Sequence, residues 1–331
     1  MSELRWNPLL EEWVITATHR QERTFFPPRD YCPLCPTRPG AFPTEIPAPD
    51  YQIAVFENKF PSLQREPPAP SLNDDDFYPV RPAAGVCEVV CYSSNHDVEL
   101  ADLPLKNIEN LISVWVDRFV ELGARDDVSY ILIFENKGKE IGVTLSHPHG
   151  QIYSYPFIPP IPAKELEAAK RHHDKTGRCL ICDIMGRELA DAKRIVYENE
   201  GFVIYVPFFA RYPYETHLVS RNHHPTLASL SSREQHYFAV ALKTITTKYN
   251  HLWGFSLPYM MLMHQAPTDG RHYEGAHLHI EFQPPYRTPD KLKYLAGSEA
   301  GAGVFIVDTH AEDTAATLRK AEPRSLLPTD P

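Results

Sequence analysis

A chain of 331 residues in which 43% are hydrophobic can bury a sizeable core, which excludes a mainly disordered protein. A net charge of -10 excludes a general nucleic-acid binder, whose phosphate contacts need a basic face, while leaving room for a small anionic substrate held by local arginines. No stretch approaches the roughly 20 apolar residues of a membrane helix, the opening MSELRWNPLLEEW has no apolar signal core, and the expectation is a cytoplasmic protein.

The first landmark is CPLC, Cys32 to Cys35, inside the proline-rich FFPPRDYCPLCPTRPG. In a cytosolic chain a CxxC pair signals metal or redox chemistry rather than a structural disulfide. A redox pair is expected at the start of a helix after a buried strand; the prolines here describe a knuckle-like loop, which favours metal. FENKFPSL follows, then GVCEVVCYS, a strand in which Cys87 and Cys91 read as small core residues. After a lone His96, the run LPLKNIENLISVWVDRFVELG places Ile108, Leu111, Ile112, Trp115 and Phe119 at helical steps. SYILIFEN reads as a strand and leads to SHPHGQIY, residues 146–153.

The prolines of 156–162 precede a helix expected from Glu165 to His173, and the order of parts then repeats. CLIC (Cys179 to Cys182) is followed by a strand pair in GFVIYVPFFARYPYETHLVSRNHH. A helix opened by Ser231, Ser232 and Glu234 comes next, then the strand YMMLMHQAP and HLH at 277–279. His96 precedes His147 by 51 residues, and His223 precedes His277 by 54. The repetition predicts an internal duplication, residues 1–160 and 161–331. Each half is expected to be an α+β unit, a small antiparallel sheet with a long helix packed on it.

Zinc takes four ligands, usually thiolate and imidazole, in tetrahedral geometry. The duplicated order offers Cys32, Cys35, His96 and His147 in the first half, and Cys179, Cys182, His223 and His277 in the second. A competing set for the second metal is Glu165, His264, His277 and His279, whose nitrogen and oxygen ligands suit iron as well as zinc. His277 serves in both sets, so the two exclude one another as written.

In an extended segment His147, His149 and Gln151 share a face. With His147 committed to metal, His149 becomes a positioned imidazole, a neutral nitrogen nucleophile for attack on phosphorus. Gly150 lets a substrate approach the backbone, and Gln151 donates to phosphoryl oxygens without adding charge. The plainer alternative makes both histidines metal ligands or edge-strand polar residues.

HPHGQ preceded by FENKGKEIGVTLS, together with HRQERTFFPP, SSNHDVEL, FARYPYET, MHQAP, HLHIEFQPP and KYLAGSE, resembles the galactose-1-phosphate uridylyltransferases of the histidine-triad superfamily. The resemblance covers almost the whole chain. It implies two related half-domains, a homodimer with sites near the subunit interface, and a two-step exchange. His149 is expected to attack the α-phosphorus of UDP-glucose, releasing glucose 1-phosphate and leaving a uridylyl-histidine. Galactose 1-phosphate is then expected to take the uridylyl group, giving UDP-galactose. By position, the resemblance gives Arg20 and Arg23 to the nucleotide phosphates, Asn58 to uridine, Asn136 and Gly142 to the diphosphate loop, and Gln151 to the phosphoryl group. Lys293 and Glu299 fall on sugar-phosphate and hexose-contacting positions, and Cys32, Cys35, His96 and His147 match a structural zinc site. Lys59 departs from the family's aspartate, Ser298 from its tyrosine, and Cys179 and Cys182 are absent from members with a Glu165-type metal site. Relatives acting on ADP-glucose carry a second CxxC but have serines where HPHGQ has proline and glycine, which favours UDP-hexose here. The alternatives are an ADP-sugar phosphorylase or adenylyltransferase on the same scaffold, and a non-catalytic, zinc-stabilised nucleotide-binding protein.

Overall fold

The structure, a computed structural model, describes residues 2–22 and 31–322. In chain order its elements are β1 (Ser2–Asn7), β2 (Glu12–Ala17), β3 (Ala54–Glu57), β4 (Val80–Pro82), β5 (Val86–Cys91), α1 (Leu105–Gly123), β6 (Tyr130–Lys137), β7 (His149–Tyr155), α2 (Pro160–Thr176) and α3 (Leu180–Asp191). There follow β8 (Ile195–Glu198), β9 (Phe202–Tyr205), β10 (Thr216–Ser220), α4 (Ser232–Leu252), β11 (Tyr259–His264), β12 (His279–Gln283) and α5 (Ala311–Lys320). Strands β2, β1 and β4 make a small sheet, the other nine of these form one sheet in the order β3-β5-β7-β6-β11-β12-β10-β9-β8, and a short ribbon pairs Tyr286–Thr288 with Lys291–Leu292.

The expectation of a separate sheet for each half is corrected by the pairing of β6 with β11, antiparallel from Tyr259 opposite Lys137 to Met263 opposite Ile133. On either side of that seam the strands follow a mirrored order: β6, β7, β5, β3 one way and β11, β12, β10, β9 the other. Two halves built as predicted would each end on an open edge of backbone donors and acceptors; pairing the edges satisfies both.

Alternation along the strands sorts the side chains between two faces. On one face Val86, Val90, Ile131, Ile133, Ile152, Ile204, Leu218, Met261 and Ile280 meet α1 and α4, which pack side by side. Helix α1 buries the predicted stripe Ile108, Leu111, Ile112, Trp115 and Phe119. Helix α4 starts as its sequence foretells: the Ser231 hydroxyl accepts from the Glu234 N–H, and the Glu234 carboxylate accepts from the Ser231 N–H at 2.9 Å. Helix α2 begins at Pro160, earlier than the expected Glu165, because a proline at the first helical position sacrifices no hydrogen bond.

The opposite face is covered unequally. Over the C-terminal half, α3 packs Ile181, Ile184 and Met185 on Val203, Tyr205 and Val219. Over the N-terminal half the small sheet packs Leu4, Trp13 and Ile15 with Cys87, Tyr153 and Tyr155, and the CPLC loop lays Leu34 and Ile46 against Val89 and Cys91. Cys87 and Cys91 are both buried there as small packing residues. At the His149 end of β7 the cover is the CPLC loop rather than a helix or sheet, and cavities open there. Among the described residues no helix is long and apolar enough to cross a membrane.

Trp115 is fully buried in the α1 stripe, so Trp115→Ala should lower stability by about 3–5 kcal/mol through lost burial and a residual cavity. Urea unfolding followed by circular dichroism checks this; an unchanged midpoint would contradict the packing described.

Candidate active site and metal-binding clusters

Two clusters of four potential ligands form as the duplicated sequence order predicts. Cys32, Cys35, His96 and His147 bring their ligand atoms together, and so do Cys179, Cys182, His223 and His277. The His96 and His147 Nδ1 atoms lie 3.5 and 3.6 Å from Cys35 Sγ. The His277 Nδ1 lies 3.5 Å from Cys179 Sγ and 3.4 Å from Cys182 Sγ. A tetrahedral zinc with Zn–S of about 2.3 Å and Zn–N of about 2.0–2.1 Å separates sulfur from nitrogen by roughly 3.5 Å, so both clusters fit that ion.

Their surroundings agree. His147 Nε2 donates to the Ser93 carbonyl at 2.8 Å, and His277 Nε2 donates to the Ser220 carbonyl at 2.9 Å. Each bond fixes the proton on Nε2 and turns the Nδ1 lone pair inward. Tyr51 supports the first site, its hydroxyl 2.7 Å from His147 Nε2 and donating to the Leu34 carbonyl at 2.9 Å. Burial lowers His147 to about 4 and His277 to about 3, so both imidazoles are neutral at pH 7. Burial and the neighbouring thiol push Cys35 up to about 11 and Cys182 to about 12. Two thiolates side by side therefore need a cation to ionise together.

The competing set is corrected by the position of His277. That ring belongs to the thiolate cluster, and Glu281 takes its place beside Glu165, His264 and His279. The two groups are thus distinct rather than mutually exclusive. Within the second, Glu165 Oε2 accepts from His264 Nδ1 at 2.8 Å, Arg211 Nη2 donates to Glu281 Oε2 at 2.7 Å, and His217 Nε2 donates to Glu215 at 3.1 Å. Burial disfavours charge on His264 and His217, but the facing carboxylates outweigh it and raise both. Glu165, Glu281 and Glu215 are each met by an imidazole N–H or a guanidinium.

His149 is not a member of either metal cluster. Its Nδ1 donates to the His147 carbonyl at 2.7 Å, so the lone pair lies on Nε2. His149 and Gln151 face a pair of cavities that meet at these two residues. One, about 320 Å³, runs over β5 and β3 and is lined by Leu34, Phe56, Asn58, Val89 and Leu145. The other, about 150 Å³, runs over β6 and is lined by Arg20, Asn136 and Gly142. Gly142 adopts φ 84°, the left-handed turn that glycine permits. Arg20 Nη1 donates to the Phe60 carbonyl at 3.0 Å, and Asn58 Oδ1 accepts from the Phe60 N–H at 2.9 Å. One short turn thus anchors residues from both cavities.

One sequence expectation comes out differently, and three expected residues lie apart from this geometry or outside it. Gly150 points to the core rather than to substrate: a Cβ there would sit 2.2 Å from the Tyr92 hydroxyl and 3.0 Å from the Phe134 carbonyl oxygen. Lys293 and Glu299 pair with each other at 3.0 Å, both buried, and neither lines the cavities at His149. Arg23 lies outside the described residues. Sequence reasoning missed Tyr51, Ser93, Glu45 and Tyr92, which sit in loops or at a strand end and carry no periodic signal.

The halves differ where they correspond. His279 Nδ1 donates to the His277 carbonyl at 2.9 Å, repeating the His149 bond. Yet Glu281 stands at the register position of Gln151, opposite His217 where Val89 stands in the first half. Although burial disfavours its charge, His217, His264 and Arg211 hold Glu281 well below the ordinary carboxylate range. Its negative charge disfavours a phosphate there, a charge that Gln151 does not carry.

A sequence model described as the N-terminal domain of galactose-1-phosphate uridyl transferase matches residues 1–159, and one for the C-terminal domain matches residues 165–320. The chain belongs to the galactose-1-phosphate uridylyltransferase family. It is 42% identical over 325 residues to the galactose-1-phosphate uridylyltransferase of Thermotoga maritima, covering 97% of this chain and 99% of that one. A solved uridylyltransferase structure superposes with a TM-score of 0.87 at 36% identity, covering 96% of this chain and 98% of the other. An ADP-glucose phosphorylase from Arabidopsis thaliana with bound ADP-glucose shares the fold, with a TM-score of 0.73 at 24% identity and coverage of 98% and 100%.

His147→Ala and Cys179→Ser should each lower the bound metal by one ion per chain, while His149→Ala and Glu165→Ala should not. Metal analysis of the purified variants checks this, and equal losses for His147→Ala and His149→Ala would show the neighbouring rings to be misassigned.

Proposed function

We propose that the chain transfers UMP between UDP-glucose and galactose 1-phosphate through a uridylyl-His149 intermediate. The observation that carries this reading is the 2.7 Å bond from His149 Nδ1 to the His147 carbonyl, made by a ring that belongs to neither metal cluster. That bond holds the proton on Nδ1, so Nε2 can form a bond to phosphorus while the positive charge developing on the ring is met by a carbonyl dipole. The α-phosphoryl group sits at the junction of the two cavities, with the nucleoside on the apolar side and the remaining phosphate on the side of Arg20, Asn136 and Gly142. The Gln151 amide donates to a non-bridging oxygen, which offsets charge without attracting a second anion. As the N–P bond forms, the P–O bond to glucose 1-phosphate breaks, and the electron pair leaves on an already stabilised phosphate. Galactose 1-phosphate then reverses the step. Positioning and charge stabilisation supply the rate, and acid–base help is small.

The same reading places zinc in both thiolate–imidazole clusters, each with four protein ligands and a closed coordination sphere, supporting structure rather than chemistry. It makes the protein a cytoplasmic homodimer. Tyr294, Leu295, Val304 and Ile306 are large apolar side chains at least half exposed on the segment that carries Lys293 and Glu299. A neighbouring subunit covering that surface would bring the segment toward a second site. An adenylyl-transferring reading rests on likeness of fold alone, and nucleotide binding without turnover gives no role to the His149 bond.

Incubation of the zinc-loaded protein with UDP-glucose, without acceptor, should add one uridylyl group to the intact mass. The adduct should vanish in His149→Asn and discharge on addition of galactose 1-phosphate. No adduct in a folded, metal-replete protein overturns the covalent mechanism, and an adduct from ADP-glucose alone hands the function to the adenylyl reading.

A further inference from the structure

We propose that Glu45 accepts hydrogen bonds from the vicinal hydroxyls of the nucleotide's ribose and so selects ribonucleotide over deoxyribonucleotide substrate. The proposal rests on the nucleotidyl-transfer reading above and names a contact within it.

A carboxylate in a site for a doubly charged diphosphate calls for explanation. Among the described residues, Glu45 is the only acidic side chain lining the larger cavity, which also holds His149 and Gln151. Beside a phosphate it would be repulsive. The phosphates belong at the junction and on the Arg20 side, whereas Glu45 lines only the larger cavity, which it shares with Leu34, Phe56 and Asn58, and not the one that holds Arg20. The apolar walls take a planar base. The ribose is the part of the nucleoside that presents paired O–H donors, and an ionised carboxylate is the acceptor that suits such a pair.

The loop is built to hold the carboxylate in place. On one side of Glu45, the Thr44 N–H donates to Thr37 Oγ1 at 3.1 Å. On the other, the Ile46 carbonyl accepts from the Thr37 N–H at 2.9 Å and from Thr37 Oγ1 at 2.9 Å. The Glu45 N–H itself donates to the Pro33 carbonyl, inside CPLC, at 3.0 Å. Ile46 is buried against Leu34 and Cys91. The backbone of Glu45 is therefore fixed to the same loop that carries Cys32 and Cys35. Lys59 Nζ, 3.1 Å from Glu45 Oε1, offsets its charge. A lysine so placed lowers the cost of bringing a diphosphate near a carboxylate, whose oxygens can accept from O–H donors.

The test compares kcat/KM of the holoenzyme for UDP-glucose and its 2′-deoxyribose and 3′-deoxyribose analogues, in wild type and Glu45→Ala. A hydrogen bond to a charged acceptor predicts that wild type prefers the ribonucleotide by about tenfold or more. In Glu45→Ala the preference should fall to about onefold to twofold, mainly because KM for UDP-glucose rises, with zinc content and adduct yield at saturation retained. Lys59→Met should keep the preference and raise KM for all three substrates. An undiminished preference in Glu45→Ala, or no preference in wild type, overturns the assignment while adduct formation upholds the transfer reading. Absence of any adduct in wild type removes that reading, and the assignment falls with it.

Discussion

The site depends on one backbone carbonyl. His147 is held by the Ser93 carbonyl and the thiolate cluster, and its own carbonyl then takes the proton of His149 Nδ1. A Cys/His cluster, a main-chain oxygen and a second imidazole ring are thereby joined within three consecutive residues. The stiffness of the first is passed to the last without spending a side chain on the task. Pro148 between them offers no N–H to compete, and its carbonyl instead accepts from the Tyr92 N–H at 3.0 Å, tying the segment to the end of β5. The Tyr92 ring then passes beneath Gly150, where no side chain could fit.

The second half repeats this arrangement with different chemistry. His277 and His279 reproduce the bonding of His147 and His149. The helices α2 and α3 then close over the site, and Glu281, Arg211, His217 and His264 fill with ion pairs the place where a phosphate would lie. Buried charge is tolerated there because each carboxylate meets a cation or an imidazole N–H. The two halves share this backbone geometry and differ in their electrostatics.

Much of this was legible in the sequence because repetition doubles weak signals. A single CxxC or a lone histidine is ambiguous, but matching positions in two passes gave both metal clusters, and the i, i+2 spacing separated His149 from His147. The helices were readable from the stripe of Ile108 to Phe119 and from the Ser231–Glu234 cap. The sharing of His277 misled because HLH looks like a pair: on a strand its two rings share a face, but they sit about 7 Å apart along the chain, far enough to serve different neighbours. The role of Gly150 was misjudged since the face it occupies depends on Tyr92, a residue distant in sequence. Glu45 and Ser93 were illegible because loop contacts follow from tertiary placement and leave no periodic trace.

The seam between β6 and β11 has a consequence for how such a chain can be cut, moved or evolved. An independently made N-terminal fragment would carry a bare ribbon of main-chain donors and acceptors along β6, Tyr130 to Lys137, with Ile131 and Ile133 on one side. Such a ribbon invites strangers as readily as its proper mate. Tandem fusion keeps the correct mate at high local concentration from the moment of synthesis, so linkage of the two copies is itself a safeguard against mispairing.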